Sequence, residues 1–230
     1  MTPHANNVFS YDYYKRFINE ARNAGYQFYT VGDFLKAGCP KEKAFVIRHD
    51  LDVKPASLPA QLRAEIECDV RSTIYVRVTA NDYNPFNYLN LPVLLEAQRQ
   101  GFEMGLHTNF LEVATINNLD PFDVLRFETN AFGSFFQNKS FACHRDLNYI
   151  YNALPWVFEN WDRIQNELGY EYQAYDQRIM NSVLYVNEGY HPHLCWRDLK
   201  PSDAISTGKS ICLLTHPHLW WEKHPFESGT

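Results

Sequence analysis

The stretch AFVIRHDLDV, residues 44–53, decides the fold of this chain. It opens with the apolar run AFVI, whose β-branched and aromatic residues predict a buried strand. Four ionisable side chains follow directly: Arg48, His49, Asp50 and Asp52. Burying a charge is costly unless the charge is paired or bound to a metal. The stretch therefore predicts a core strand that carries functional groups at its carboxyl end.

Strands and helices alternate along the rest of the chain. Further strands are predicted at 71–78, 102–109, 140–146, 170–176, 182–189 and 210–218, and helices at 10–27, 54–69, 87–101, 120–138 and 154–169. Asp120 and Pro121 are typical helix-start residues, and Pro59 marks where the second helix becomes regular. This alternation favours parallel strands joined by crossover helices. About seven strands suit a small or incomplete β/α barrel, or an open doubly wound sheet.

Composition and charge exclude several classes of function. The chain has 230 residues, a formal net charge of −6 and a pI near 5.8, so nucleic-acid binding is not expected. No glycine-rich nucleotide loop follows any predicted strand. Five dispersed cysteines argue against a disulfide framework and fit a reducing compartment. Without a signal peptide or a long apolar run, the sequence predicts a cytoplasmic protein with no membrane span. We interpret residues 1–230 as a single domain.

Polar side chains follow the predicted strands repeatedly. In a parallel α/β fold, functional groups collect at the carboxyl ends of the strands. The residues at these ends are His49, Asp50, Asp52, His107, His144, Arg145, Asp146, Asp176, His216 and His218. Asp50 and Asp52 are two positions apart, so in an extended segment they face the same side. One carboxylate can hold a metal while the other accepts a proton from water. Histidine and carboxylate donors without thiolates fit Zn²⁺ or another divalent transition ion.

Four short motifs carry a resemblance to a known family. They are RHDLD, FEMGLHTN, CHRDLNY and LLTHPHLWW, in this order between residues 44 and 222. The chain resembles the polysaccharide deacetylase superfamily, the NodB-homology or carbohydrate esterase family 4-like group, in a divergent branch with an R-H-D-x-D motif. The resemblance implies a distorted (β/α) barrel of about seven parallel strands over 44–222, with 1–43 as a helical lead-in.

The resemblance also implies roles for individual residues. Asp50 matches the general base, Asp52 and His107 match metal ligands, and His216 matches the histidine that protonates the leaving amine. Arg145 resembles the arginine that orients the base. One position departs from the family, because Leu111 stands where the second histidine of the metal motif is expected. His144 is the best substitute for the third ligand; His191 and His193 are weaker candidates.

The implied chemistry is metal-assisted hydrolysis of an amide. The expected cofactor is Zn²⁺, with Co²⁺, Ni²⁺ or Fe²⁺ as alternatives, and aromatic side chains are expected to stack on a sugar: Tyr149, Trp196 and Trp220. The expected substrate is an N-acetylated sugar or oligosaccharide, such as a precursor in the biosynthesis of a surface polysaccharide of the O-antigen, lipopolysaccharide or capsule type. Two alternatives remain open. One is a catalytically impaired barrel that acts as a carbohydrate-binding or scaffold module, and the other is a hydrolase of non-sugar amides or cyclic ureides.

Overall fold

The computed structural model describes residues 9–137, 139–144, 152–188 and 196–222. Its strands are β1 Gln27–Tyr29, β2 Ala44–Leu51, β3 Thr73–Arg77, β4 Glu103–Thr108, β5 Ser140–Cys143, β6 Tyr172–Gln173, β7 Leu184–Asn187 and β8 Ile211–Thr215. Its α-helices are α1 Tyr11–Asn23, α2 Val31–Lys36, α3 Leu58–Glu67, α4 Asn90–Arg99, α5 Phe110–Asn117, α6 Pro121–Gly133, α7 Ala153–Glu159, α8 Trp161–Leu168, α9 Gln177–Met180 and α10 Pro201–Ser206. Short 3₁₀ turns occupy Pro55–Ser57 and Pro217–Leu219.

The strands form one parallel sheet that curls into a half-barrel. Seven of them follow the order β6-β5-β4-β3-β2-β8-β7, and β1 pairs with the first half of β2. Every ladder between the described strands is parallel. The predicted α/β class with a distorted (β/α) barrel is therefore confirmed. Since all strands run the same way, their carboxyl ends share one rim.

Strand β2 lies in the middle of the sheet and is buried along its whole length. Its side chains alternate between two environments, as the strand period requires. Phe45 and Ile47 pack outward with helix α1, whereas Ala44 and Val46 pack inside the barrel. Arg48 and Asp50 share the inward parity of Val46. Arg48 and Asp50 therefore point into the barrel at the rim where β2 ends, whereas His49 has the outward parity of Phe45 and Ile47.

The first 43 residues contribute more than the predicted helical lead-in. Helix α1 begins where the Ser10 hydroxyl accepts a hydrogen bond from the Tyr13 backbone N–H. Strand β1 then joins the sheet, and α2 places Val31 and Phe34 in the interior cluster. The Val31 N–H donates to the Thr73 hydroxyl at the start of β3. Helix α2 thus covers the amino-terminal end of the barrel and leaves the opposite rim open.

Helix boundaries follow local chemistry in most of the chain. Helix α6 begins after Asp120, which caps it, with Pro121 in its first turn, as predicted. Helix α3 begins at Leu58, beside Pro59. The single helix predicted at 154–169 is wrong, because the chain breaks at Asn160 into α7 and α8. Among the described residues, none of the helices combines the length and apolar character that crossing a bilayer requires.

Candidate metal centre

Three side chains from three strands meet at the open rim. Asp52 follows β2, His107 lies in β4 and His144 directly follows β5. Each offers one ligand atom, and these atoms all lie within 4.8 Å of one another. The Oδ1 atom of Asp52 is 3.1 Å from Nε2 of His107 and 3.3 Å from Nε2 of His144. The structure therefore brings together the three residues that the sequence predicts as metal ligands.

The strand pairing explains why these groups converge. His107 is in register with Ala142 of β5, and the backbone N–H of His144 donates to the Thr108 carbonyl at 2.7 Å. His144 thus continues the ladder by one residue past the end of β5. It stands where a third ligand is needed, whereas Leu111 lies in helix α5 and packs against the outer core.

The orientation of His107 fits a cation at this place. Its Nδ1 atom lies 2.9 Å from the Ala142 carbonyl and donates to it, so the neutral ring keeps a lone pair on Nε2. Nε2 faces Asp52 Oδ1 at 3.1 Å, and this approach needs either a proton on Nε2, which then donates to the carboxylate, or a cation between the two atoms. A tetrahedral ion with bonds of about 2.0–2.2 Å separates its ligands by about 3.3–3.6 Å. The separations from Asp52 are close to this spacing, and a ring N–H held by a backbone carbonyl is the usual second contact of a metal-ligating histidine.

Asp52 is held in its charged form. Burial alone would raise the pKa of its carboxyl, but hydrogen bonds from His107 and His144 and the charge of His216 lower it well below its usual range. A ligating carboxylate must be ionised. The site therefore keeps this ligand ready over the whole neutral range.

Asp50 stands beside the metal group and is paired with Arg48. The guanidinium donates twice to the carboxylate, from Nε to Oδ1 at 3.2 Å and from Nη2 to Oδ2 at 2.6 Å. Arg48 is 0% exposed and lies between the rings of Tyr75 and Tyr175. Burial would raise the pKa of Asp50, but the charge and hydrogen bonds of Arg48 lower it. Asp50 is therefore an ionised carboxylate fixed in orientation, 3.6 Å from Nε2 of His107.

Arg48 makes the contact that the sequence analysis assigned to Arg145. Arg145 lies outside the described residues. A signal for Arg48 was available, since it precedes Asp50 by two positions and therefore faces the same side of β2.

His216 lies on the other side of the metal group and is paired with Glu188. Glu188 follows β7, and its Oε2 accepts from Nδ1 of His216 at 2.8 Å and from the His216 backbone N–H at 2.8 Å. Nε2 of His216 then faces Asp52 Oδ2 at 3.6 Å. Burial would lower the pKa of His216, but the hydrogen bond and charge of Glu188, with the charges of Asp52 and Asp50, raise it to about 9. His216 is therefore charged at neutral pH, and its contact with Glu188 was not assigned from the sequence.

The predicted aromatic platform is wrong for the two tryptophans. Trp196 and Trp220 are 6% and 1% exposed, because both pack with Phe9, Tyr13 and Phe17 beneath the rim. Trp220 also donates its indole N–H to Glu188. Their ring faces are therefore closed to a sugar, and Trp220 instead helps to hold the Glu188 carboxylate. Tyr149, His191 and His193 lie outside the described residues.

His49 and Asp176 have structural contacts. His49 is buried on the outer side of β2, where its ring contacts Glu65 and Thr215 at 2.6 Å each. Asp176 caps helix α9 and pairs with Arg178. Neither side chain joins the metal group, and His49 was already left out of the predicted chemistry.

A cavity of about 970 Å³ opens over these groups. Asp50, Asp52, His107, His144 and His216 all line it, and so do polar side chains around the rim: Arg77, Asn81, Asp82, Asn152, Tyr175, Tyr185, Asn187 and Arg197. Its size is at the upper end of the range for sites that hold small organic ligands. The candidate metal ligands, the ionised Asp50 and the charged His216 thus share one cavity.

Comparison of the chain with protein-family models, curated proteins and solved structures finds no match in any of the three. The resemblance to polysaccharide deacetylases therefore rests on the four motifs alone, and the function must be argued from the site.

Proposed function

We propose that the protein is a divalent-metal-dependent hydrolase that removes an acetyl group from an acetamido sugar. The observation that carries the proposal is the placement of a complete ligand group, Asp52, His107 and His144, between an ionised carboxylate and a charged imidazole. Amide hydrolysis needs these three functions together: an electrophilic centre, a general base and a general acid.

The donor set favours zinc. Two imidazoles and one carboxylate are the ligands of many catalytic zinc sites, which leave a further position open for water or substrate. Co²⁺, Ni²⁺ and Fe²⁺ accept the same ligands, and geometry alone separates them poorly. A bound ion of this kind would polarise the acyl oxygen and lower the pKa of a bound water towards about 7.

Asp50 and His216 divide the proton transfers. Asp50 accepts a proton from the attacking water, because Arg48 holds it ionised and oriented. The water oxygen bonds to the acyl carbon, and the C–N bond then breaks. His216 gives its proton to the departing nitrogen, so that acetate and a free amine result. Glu188 positions the imidazole for this step through its Nδ1 atom and leaves Nε2 directed at the cavity.

The lining of the cavity supports a sugar as the substrate. Side-chain amides and phenols form part of the wall: Asn81, Asn152, Asn187, Tyr175 and Tyr185. Such groups both donate and accept hydrogen bonds, which suits a molecule with many hydroxyls. The volume favours a ligand larger than a cyclic ureide, and a paired base and acid favour catalysis over a binding module.

Release of acetate tests the proposal. Chelator-treated protein is reloaded with Zn²⁺ or Co²⁺ and incubated with N-acetylglucosamine, its oligomers, its 1-phosphate and its uridine diphosphate ester. We expect metal-dependent acetate from at least one of these sugars, abolished by Asp50→Asn and by His144→Ala. His218→Ala is the matched control, because His218 neighbours His216 but lies outside the ligand group. Metal-loaded protein that releases no acetate from any of them would contradict the proposal.

A further inference from the structure

The proposed function leaves open what the sugar carries beyond its acetamido group. Resting on that function, we infer that the substrate bears a phosphate group next to the leaving nitrogen, and that Arg197 binds it. The inference comes from the place of this arginine at the rim, from the charges that surround it and from the size of the cavity.

Arg197 is held at the rim by its backbone. Its N–H donates to the Asn187 carbonyl at the end of β7, at 3.0 Å. The preceding residue, Trp196, bridges to Glu188 and buries its ring, with its indole N–H donating to the Tyr13 hydroxyl at 3.0 Å. The Arg197 side chain is exposed and lines the cavity. The backbone of Arg197 is therefore held in place, while its exposed side chain brings a positive charge to the cavity.

The strand order places Arg197 on the side of the leaving group. Along the rim, the metal ligands come from β5, β4 and β2, His216 follows β8, and Arg197 pairs with β7. Neighbouring strands are about 4.8 Å apart, so Arg197 lies one strand beyond His216. With the acyl oxygen at the metal group and the nitrogen at His216, the remainder of the sugar extends towards Arg197. In a 2-acetamido sugar, the anomeric carbon is one of the two ring neighbours of the carbon that bears nitrogen, and phosphate esters are attached there.

The charges that line the cavity leave a cationic surplus on this side. Three of the four carboxylates are already engaged, Asp50 with Arg48, Asp52 with the histidines and Glu188 with His216. The fourth, Asp82, follows β3, which lies between the strands of the metal ligands and three places along the sheet from β7, and it accepts from the Lys54 N–H. Among the described residues, no ion pair or hydrogen bond engages the guanidinium of Arg197. Asp198 follows it in sequence and is exposed, but does not line the cavity.

The cavity has room for the added group. Its volume of about 970 Å³ exceeds what one acetamido sugar fills. The guanidinium offers paired N–H donors in a planar fork that matches two phosphate oxygens. A nucleotide and a lipid diphosphate carry the same group at the anomeric carbon, so both are sources of this chemistry.

The test compares wild-type protein with Arg197→Gln on matched substrates. These are methyl N-acetylglucosaminide, N-acetylglucosamine 1-phosphate, its uridine diphosphate ester and a farnesyl diphosphate-linked N-acetylglucosamine; N-acetylglucosaminuronic acid adds a carboxylate away from the anomeric carbon. We expect wild-type protein to prefer the phosphorylated sugars. Arg197→Gln should raise their KM roughly 10- to 100-fold with little change in kcat, since one charge-assisted contact is lost, and change the neutral glycoside less than about twofold. The nucleotide and the farnesyl substrates distinguish the two sources.

Arg99→Gln is the matched control, because Arg99 is an exposed arginine on α4 that pairs with Glu96 and does not line the cavity. Calorimetric binding of N-acetylglucosamine 1-phosphate to both proteins tests the contact without turnover. Equal affinity of wild type and Arg197→Gln overturns the inference, and so does a preference for the uronic acid. If the enzyme is active but hydrolyses all the sugars equally well, the phosphate subsite is contradicted and the proposed amide hydrolase is retained. A protein that binds the phosphate through Arg197 but releases no acetate contradicts the proposed function instead.

Discussion

Arg48 and Asp50 form an ion pair in which only the carboxylate borders the cavity. Asp50 borders the cavity, where its carboxylate can reach water or a substrate. Arg48 is fully buried between two tyrosine rings, and its Nη1 atom has no hydrogen-bond partner among the described residues. A buried charge that has lost its partner destabilises a protein more than the removal of both charges does. Removing the acid should therefore harm the fold more than removing both residues.

This asymmetry predicts how the stability of a single variant compares with that of a double variant. Asp50→Ala should lower the free energy of unfolding by about 3–5 kcal/mol, because the Arg48 charge stays buried without a partner. Arg48→Met/Asp50→Ala should recover most of the loss while remaining inactive. Urea denaturation of the two variants and wild type measures the difference. A double variant that is less stable than Asp50→Ala would contradict the assignment of the cost to the unpaired guanidinium.

Glu188 predicts a change in the pH profile. The Glu188 charge raises the pKa of His216, so Glu188→Gln should lower that pKa. Asp52 and Asp50 still favour the charged imidazole, whereas the neighbouring His218 disfavours it. The general acid is lost when His216 deprotonates, so the basic limb of the kcat/KM profile should move to lower pH in Glu188→Gln.

The measurement is kcat/KM from pH 6 to about 10, a range that brackets the His216 pKa of about 9. Glu103→Gln serves as the control, since Glu103 is a carboxylate that contacts Tyr172 and Gly32 and does not line the cavity. An unchanged basic limb in Glu188→Gln would show that Glu188 does not support the proton donor.

At this scale the sequence predicted the groups that end strands and missed their partners. Asp52, His107 and His144 were found because each closes an apolar run, and such ends share one rim. Glu188 was not assigned a task, since it lies 28 residues from His216 in sequence and the two meet only when β7 pairs with β8. The tryptophans were misplaced because sequence does not tell an aromatic residue at the rim from one that packs beneath it.

The strands of the barrel support the Asp50 carboxylate through a stack of side chains. Gly105 of β4 faces inward opposite Tyr75 of β3, and a Cβ atom at Gly105 would overlap the Tyr75 ring. The same ring lies 5.2 Å from the guanidinium carbon of Arg48. The missing side chain at Gly105 thus makes room for the ring, which in turn supports the arginine that orients Asp50.

Gly105→Ala should therefore damage both fold and catalysis. Overpacking of this kind costs about 1–3 kcal/mol, and a displaced Tyr75 would move Arg48 and lower kcat more than KM. Gly133→Ala is the matched control, since Gly133 ends helix α6 with nothing near the added methyl group, and should be neutral or slightly stabilising. Thermal unfolding and kcat are measured for both variants. Equal stability of the two would contradict the stacking argument.

Strands and helices were predicted correctly where their hydrophobic pattern extended over many residues. The apolar strands β2, β3, β4 and β8 were all found, as were α1 and α6, the latter with its Asp120 cap. Strand β1 has three residues and α2 has six, too few for a hydrophobic period to stand out. Helix α5 was missed because it begins only one residue after the strand segment predicted to end at Asn109. Tertiary packing, not local preference, gives these short elements their structure.

In the whole molecule the candidate ligands join strands that are distant in sequence. β2, β4 and β5 lie within a run of four neighbouring strands, β5 to β2, and one ion would bridge all three. An ion that binds only the folded state stabilises it by about 2.7 kcal/mol at a free concentration 100 times its Kd. Zn²⁺ should therefore raise Tm, and a chelator should reverse the rise. His144→Ala should lose the shift and His218→Ala should keep it; an equal shift in both variants would place the ion elsewhere.

The most direct test of the metal centre is an anomalous-scattering measurement on crystals of the zinc-loaded protein. The account predicts one strong zinc peak per chain, about 2.0–2.2 Å from Asp52 Oδ1 and from the Nε2 atoms of His107 and His144. A peak at any other place, or no peak at these three side chains, would contradict the metal centre and the hydrolysis proposed from it.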